Sequence, residues 1–171
     1  MDIEADGPVP SPYSMLSLGA CTLEGDDTFY VEIQPLMGGG SVPETEAFLR
    51  EHGLDRQKLK ATGYPPRTAM EKFDQWLTDV AKGDKLRFVA DNAGFDWMFV
   101  AWYLHRFTGR NQFGFSPLSL TSLYHGYIQD VRRASEYKRK YRTVQHSHNA
   151  LDDAKGNAGA MKKLQELGIR F

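Results

Sequence analysis

Two acidic residues close to the start of the chain carry the first sign of chemistry. Asp2 and Glu4 are separated by one residue, and alternate side chains of a β-strand point to the same face. A strand over residues 1–5 would therefore bring two carboxylates together, and their repulsion is costly unless a cation lies between them. Hard divalent cations bind carboxylate oxygens, and cations held in this way serve chemistry on phosphate esters.

Two further acids lie far downstream, near the starts of predicted helices. Asp96 stands near the start of an apolar helix predicted over residues 95–107, and Asp153 follows Asn149, the predicted N-cap of a helix over residues 149–167. Each acid alone has a simpler explanation, because exposed strand acids are common and helix N-termini favour carboxylates. Their occurrence together, in this order along the chain, favours a shared cation site.

The hydrophobic pattern predicts an α/β fold that would position these acids. The tight turn at residues 24–27 predicts that the second and third strands form an antiparallel hairpin. A capping-box pattern from Thr68 to Glu71 predicts the start of a helix that Gly83 ends. Strands are predicted at residues 1–5, 15–23, 28–35 and 86–90, and a fifth strand that runs into a helix at about 118–124. The other helices are predicted at residues 43–51, 95–107 and 149–167.

The composition is that of one globular domain spanning residues 1–171. Hydrophobic residues make up 41% of the chain and charged residues 25%, ordinary values for a protein with a single core. The formal net charge of −1 excludes a strongly basic nucleic-acid coat, so any such contact needs a local patch. The single cysteine, Cys21, excludes an internal disulfide, and its apolar neighbours predict burial. No apolar run approaches ~18 residues and no signal-peptide pattern occurs, so we expect a cytoplasmic protein.

A basic stretch shortly before Asp153 is a candidate for gripping a nucleic-acid strand. Its cations can contact phosphates, with Lys138, Arg139 and Lys140 at its centre, and interleaved tyrosines can stack on bases. A solvated helix or loop face is an equally good interpretation. The residues concerned are Arg132, Arg133, Tyr137, Lys138, Arg139, Lys140, Tyr141 and Arg142.

The acids fall in three motifs, DIEADGP at residues 2–8, DNAGFD at 91–96 and HNALDDA at 148–154. Together they resemble the DEDDh family of 3′-to-5′ exonucleases, which includes oligoribonuclease, ribonuclease T and polymerase proofreading domains. The third motif is the most specific, because a histidine five residues before an aspartate separates this subgroup from relatives that use tyrosine. The resemblance spans nearly the whole chain, and it implies a ribonuclease-H-like fold with a five-stranded mixed sheet flanked by helices.

The resemblance also implies which residues act. A neutral His148 would take a proton from the attacking water. The expected reaction releases nucleoside 5′-monophosphates from the 3′ ends of single-stranded RNA or DNA. Two divalent metal ions, Mg²⁺ or Mn²⁺, would be bound by Asp2, Glu4, Asp96 and Asp153.

Two alternatives stay open within the third motif. His146 is a rival for the role of base and Asp152 a rival ligand, although the family spacing favours His148 and Asp153. Adjacent helix positions diverge by about 100°, so both aspartates cannot face one cation equally well.

The residues after the first motif and the departures from the family also lead to expectations. Asp6 and Gly7 are expected beside the terminal nucleotide, where small residues let the backbone approach the sugar. Position 91 is Asp91 where relatives often carry histidine, and it is expected to cap a helix or lie beside the ligands without being one. The segment before Asp2 is shorter than the family norm. Some relatives are dimers, so a homodimer is expected by analogy alone.

Two other functions remain open from the sequence. One is a related two-metal endonuclease or phosphodiesterase of the same fold, which usually lacks the spacing of His148 and Asp153. The other is a non-catalytic nucleic-acid-binding module, which the presence of all four acids and the histidine opposes.

Overall fold

The chain folds as a mixed α/β structure in which three strands come first, followed by seven helices with two short strands among them in the part of the chain that the structure describes. The computed structural model describes residues 1–142 and 146–170, without the side chains of residues 134, 135, 137 and 138. The strands are β1 (Asp2–Ala5), β2 (Met15–Cys21), β3 (Thr28–Glu32), β4 (Val89–Ala90) and β5 (Leu118–Ser119). The helices are α1 (Pro43–Glu51), α2 (Arg56–Thr62), α3 (Pro66–Ala81), α4 (Ala93–Thr108), α5 (Leu120–Ile128), α6 (Ala134–Tyr141) and α7 (Ala150–Glu166), with a 3₁₀ turn at Val131–Arg133.

The strands form two hydrogen-bonded groups that lie side by side. β1, β2 and β3 pair antiparallel in that order, which confirms the predicted hairpin, whereas β4 and β5 pair in parallel. The amino group of Met1 donates a hydrogen bond to the carbonyl oxygen of Val89 at 3.0 Å. This contact places β1 next to β4, so the acids of β1 lie in the middle of the strands.

Several elements differ from the prediction for local reasons. The helix expected to start at Thr68 begins two residues earlier, at Pro66, because a proline at the first helical position lacks only an N–H that would be unpaired there. Helix α2 was not predicted, and the Asp55 side chain caps it by accepting hydrogen bonds from two backbone amides. Strand β4 has two residues where five were predicted. Cys21, expected to be buried, is partly exposed at the end of β2.

Close packing of α7 on β2 brings the third motif to the first. A Cβ on Gly19 would lie 2.1 Å from the carbonyl carbon of Ala150, so a residue with a side chain cannot let the start of α7 lie this close to the strand. Gly19 pairs with Asp2 across β1 and β2. Asn149 caps α7 as predicted, because its side chain accepts from two amides of the first turn. The first turn of α7, which carries Asp153, is therefore held beside Asp2.

The main core lies between the first sheet and helices α3 and α4. Fully buried side chains from both helices, including Phe73, Phe99 and Tyr103, pack there with Leu18 of β2. Ile3 of β1 belongs to the same core, which therefore holds α4, and with it Asp96, close to the first strand. Within the described residues, no helix has the length and apolar character needed to cross a membrane.

Candidate active site

Three of the four predicted acids meet at one place. Asp2 and Glu4 point from the same face of β1, as their alternation requires, and Asp153 projects from the first turn of α7. Carboxylate oxygens of the three residues all lie within 4.8 Å of one another. Asp153 has no exposed surface and the Glu4 side chain is 13% exposed, so the group is largely shielded from water.

The fourth acid, Asp96, lies outside this group of three and contacts the strand between its members. The carboxylate of Asp96 is buried and accepts a hydrogen bond from the backbone N–H of Ile3 at 3.0 Å. Ile3 separates Asp2 from Glu4 in the sequence, so Asp96 approaches β1 at the level of both acids. Its charge raises the pKa of each of them.

Burial and repulsion make the acid cluster costly to ionise. Burial, followed by the charges of Asp153 and Asp96, raises the pKa of Glu4 to about 8. Burial and the charges of Asp96, Glu4 and Asp153 raise the pKa of Asp2 well above its ordinary value. Burial raises the pKa of Asp96 to about 6, although the amino terminus and the Ile3 amide act in the opposite direction. These oxygens fit hard divalent cations, because such cations prefer carboxylates and would offset the repulsion.

Asp153 differs from the other acids because hydrogen-bond donors surround it. Burial alone would raise its pKa, but bonds from the His146 ring and the Ser147 amide, with the charges of His146 and Arg142, lower it overall. His146 Nδ1 lies 2.8 Å from Asp153 Oδ2, and Arg142 Nη2 lies 2.6 Å from Oδ1. Asp153 is thus the acid most easily ionised in the absence of a cation.

His148 faces the cluster from the segment before α7. Its Nδ1 lies 3.7 Å from Glu4 Oε1, and its backbone N–H donates to Asp153 Oδ2 at 2.9 Å. The rings of Phe48 on α1 and of His52, the C-cap residue of that helix, each lie 4.6 Å from the His148 ring, measured between centroids. Burial, then the charges of His146 and His52, lower the pKa of His148, so its imidazole is neutral at pH 7.

The two histidines of the third motif, and its two aspartates, have different surroundings in the structure. His146 contacts Asp153, whereas His148 reaches Glu4. Asp152 is exposed and Asp153 is buried within the cluster, as the divergence of adjacent helical positions requires.

Asp91 lies beside the cluster but outside the group of three. Its Oδ1 accepts a hydrogen bond from Thr121 Oγ1 at 2.6 Å, and its backbone oxygen accepts from Ser119 Oγ at 3.0 Å. Asp91 therefore joins the end of β4 to the start of α5. Its charge also acts to raise the pKa of Asp96, which makes it a neighbour of the predicted ligands.

Asp6 and Gly7 are buried, contrary to the expectation that they lie beside the terminal nucleotide of the substrate. Asp6 has no exposed surface, and its carboxylate accepts hydrogen bonds from the Ser14 amide and from Arg56 Nε at 2.7 Å. This buried ion pair holds the loop after β1 to α2, and it leaves no oxygen of Asp6 at the surface. Gly7 is also buried, and a Cβ on it would lie 2.2 Å from the Tyr13 ring. Its lack of a side chain accommodates that ring.

Most described cations of the basic stretch are already paired within the protein. Lys140 Nζ lies 3.1 Å from a Glu136 carboxylate oxygen, which Arg133 also contacts at 2.7 Å. Arg132 pairs with Asp130 at 2.9 Å. Arg139 is exposed, whereas the predicted contact of Lys138 falls on a side chain outside the described residues. A phosphate contact by Lys140 would therefore have to compete with Glu136. Three members of the stretch remain. Arg142 lies against Asp153, and the Tyr141 ring packs against Tyr124, with ring centroids 5.6 Å apart. The side chain of Tyr137 falls outside the described residues.

The sequence did not predict the ring contacts that Phe48 and His52, at the end of α1, make with His148. Phe48 lies in the last turn of α1, and His52 is the C-cap residue directly after it. The two are four positions apart, and the His52 Nδ1 lies 2.8 Å from the Phe48 carbonyl oxygen. This spacing was visible in the sequence, but nothing there showed that the two rings turn toward residue 148.

The fold and the site together define a class of protein: a nuclease of the DEDDh type, with carboxylates on the first strand and a histidine beside them. The chain belongs to the family described as the 3′-5′ exoribonuclease Rv2179c-like domain, which matches residues 1–165. It is 34% identical over 173 residues to the 3′-5′ DNA exonuclease Cap18 of Escherichia coli, covering 98% of this chain and 90% of that protein. The predicted 3′-5′ exonuclease activity is confirmed.

Solved structures share the fold. The nuclease domain of 3′hExo, a DEDDh family member bound to rAMP, superposes with a TM-score of 0.73 at 14% identity, covering 98% of this chain and 90% of that one. Pop2p of S. pombe, in its Mg²⁺- and Mn²⁺-bound form, gives 0.69 at 12% identity, covering 96% and 81%. Cell-death related nuclease 4 gives 0.67 at 16% identity, covering 98% and 62%. The predicted ribonuclease-H-like fold and the resemblance to the DEDDh exonucleases are confirmed.

Proposed function

We propose that this exonuclease removes nucleotides one at a time from the 3′ ends of single-stranded RNA or DNA, releases nucleoside 5′-monophosphates and uses two Mg²⁺ or Mn²⁺ ions. The observation that carries the proposal is the convergence of Asp2, Glu4 and Asp153 within 4.8 Å. Three carboxylates this close need positive charge between them, and exonuclease family membership supplies the substrate class. The family match over residues 1–165 also supports one exonuclease domain.

The cation ligands in this proposal are Asp2, Glu4 and Asp153, with Asp96 completing the set. Asp96 is placed for this role because it binds the amide between the two strand acids. Divalent cations held by these oxygens would supply electrostatic stabilisation of the charge that develops on the phosphodiester during hydrolysis. The protein contributes carboxylate oxygens that are fixed in position and largely shielded from water, because β1 and the first turn of α7 are packed in the fold.

His148 is the general base in this proposal. Its ring lies beside Glu4, and its lowered pKa keeps a nitrogen free to accept a proton at neutral pH. The rings of Phe48 and His52 hold the imidazole from one side. An incoming water near Glu4 would therefore meet a neutral imidazole already oriented toward the acids.

The substrate strand would run past Arg139, which is exposed, because carboxylates already occupy the neighbouring arginines. Lys138 stays a predicted contact of the same strand. The name of the family model refers to RNA and that of the Escherichia coli relative to DNA. RNA and DNA are therefore both tested as substrates in the same digestion.

A digestion experiment tests the proposed function. Short RNA, short DNA and duplex substrates labelled at the 5′ end are incubated with Mg²⁺ or Mn²⁺, and with EDTA as control. We expect a ladder shortened stepwise from the 3′ end, mononucleotide products that carry a 5′ phosphate, and no cleavage in EDTA. Internal cuts would indicate an endonuclease instead, and binding without cleavage would indicate a non-catalytic module.

Cation removal should make stability depend on pH with a defined sign. In the cation-free protein the pKa of Glu4 is about 8, against an ordinary value of 4.5. The folded state therefore binds more protons than the unfolded state between these values, and the free energy of unfolding falls as pH rises through this range. One pKa unit corresponds to about 1.4 kcal/mol, so Glu4 alone accounts for a loss of roughly 4 kcal/mol by pH 8.

Calorimetry at pH 5 to 8 in EDTA measures this loss, and Glu4→Gln is the matched control. Subtracting the Glu4→Gln profile isolates Glu4 from groups of opposite sign, such as His148, whose lowered pKa makes stability rise with pH. Added Mg²⁺ should raise the melting temperature more at pH 8 than at pH 5. A difference profile that is flat or rises with pH would contradict the electrostatic account of the cluster.

A further inference from the structure

The carboxylate of Asp153 is fully occupied by donors from the protein itself. Oδ1 accepts from Arg142 Nη2 at 2.6 Å and from the Ser147 amide at 3.1 Å. Oδ2 accepts from the His146 ring at 2.8 Å and from the His148 amide at 2.9 Å. A carboxylate offers about four lone-pair positions, two on each oxygen. Asp153 can therefore become a cation ligand only if one of these four donors leaves.

Arg142 is the donor least able to leave. Its side chain is 6% exposed, and Nη2 also lies 3.3 Å from the backbone oxygen of Asp153. A Cβ on Gly156 would lie 2.8 Å from Arg142 Nε, so a glycine inside α7 makes the space that the guanidinium fills. Glycine in a helix interior is unfavourable, and here the ion pair with Asp153 occupies the space it provides.

His146 is the donor most able to leave. Its side chain is 39% exposed, so the imidazole can turn into solvent without creating a cavity. The Ser147 and His148 donors are backbone amides of the segment that leads into α7, and moving them would move His148 itself. The four contacts thus divide into three that hold the carboxylate and one that is replaceable.

We propose that His146 Nδ1 and a divalent cation compete for Oδ2 of Asp153, while Arg142 is a positioning residue that keeps Oδ1 and leaves Asp153 one oxygen to offer. This inference rests on the proposed cation site. It makes His146 an internal occupant of that site, whose departure accompanies cation binding.

The test is a Mn²⁺ titration of the full chain without nucleic acid, followed by electron paramagnetic resonance of free Mn²⁺. We expect His146→Phe, which cannot donate to the carboxylate, to bind Mn²⁺ about 5–10-fold more tightly than the wild type, the range for releasing one partly exposed hydrogen bond to a charged group. His105→Phe is the control, because His105 is an exposed histidine on α4, and it should leave the affinity unchanged.

The outcomes separate this inference from the proposed function. A wild type that binds no Mn²⁺ overturns both. A wild type that binds Mn²⁺ with the same affinity as His146→Phe overturns the competition alone, and weaker binding by the variant would show that His146 is itself a ligand.

Nuclear magnetic resonance of the wild type gives a second measurement that does not depend on the variant folding. Titration with Mg²⁺ should move the ring-nitrogen resonance of His146 away from its hydrogen-bonded position. A resonance that stays in place at saturating Mg²⁺ would overturn the competition.

Discussion

Asp2→Asn is expected to lower the rate of nucleotide release by at least about a thousandfold, which corresponds to roughly 4 kcal/mol of lost transition-state stabilisation. The amide has the shape of the carboxylate but lacks its charge, so it cannot offset a divalent cation in the same way. Asp2 lies in a group of carboxylates within 4.8 Å of one another, and burial with three neighbouring charges raises its pKa. The measurement is the single-turnover rate at which a 5′-labelled strand is shortened by one nucleotide in excess Mn²⁺.

The same substitution should leave the fold intact and stabilise it without cations. Replacing one of several repelling carboxylates by an amide removes a cost of the folded state, so the melting temperature in EDTA at pH 8 should rise while activity is lost. Asp152→Asn is the matched control, because Asp152 neighbours Asp153 in sequence but is exposed. A variant at position 2 that retains more than a tenth of the wild-type rate would remove Asp2 from the proposed site.

The parts of the site set by local sequence rules were predictable. Alternation along β1 places Asp2 and Glu4 on one face. The side chain of Asn149 caps α7, so the helix begins at Ala150 and Asp153 falls in its first turn. Both rules act within a few residues, so spacing alone is enough to apply them.

The parts set by contacts between distant segments were not predictable. Asp6 was expected at the substrate because it follows the first motif, but its partner Arg56 lies 50 residues away. Gly19 and Gly156 are ordinary glycines in the sequence, and only the folded chain shows that one admits α7 and the other admits Arg142. Such roles depend on which backbone segments approach each other in the folded chain. The hydrophobic periodicity of the sequence does not predict these approaches.

The basic stretch shows a related limit of the sequence. A run of basic side chains forms a positive patch only if no acidic side chain neutralises it. Here the Glu136 carboxylate accepts hydrogen bonds from both Arg133 and Lys140. Because Glu136 is three residues after Arg133 and four before Lys140, the spacing in the sequence was enough to predict both ion pairs. The apparent patch is therefore less positive than its composition indicates.

His148→Ala is expected to slow nucleotide release by about 10²–10⁴-fold, the effect of losing a positioned general base. The imidazole lies 3.7 Å from Glu4, and burial with two neighbouring histidines lowers its pKa. The wild-type rate should therefore fall only below pH 6.5, as His148 becomes protonated, and the variant should lose that acidic limb of the pH–rate profile. The measurement is the single-turnover rate between pH 5 and 8 at saturating Mn²⁺.

The backbone at position 148 requires its own control. His148 has a φ of +58°, a left-handed conformation that asparagine tolerates better than alanine. His148→Asn keeps this conformation accessible without supplying an imidazole, so an equal loss in both variants assigns the effect to the missing base and not to backbone strain. His146→Ala should cost less than about tenfold, because His146 contacts Asp153 and not Glu4. If His146→Ala were the slower enzyme and His148→Asn retained a third of the rate, the base would have to be His146.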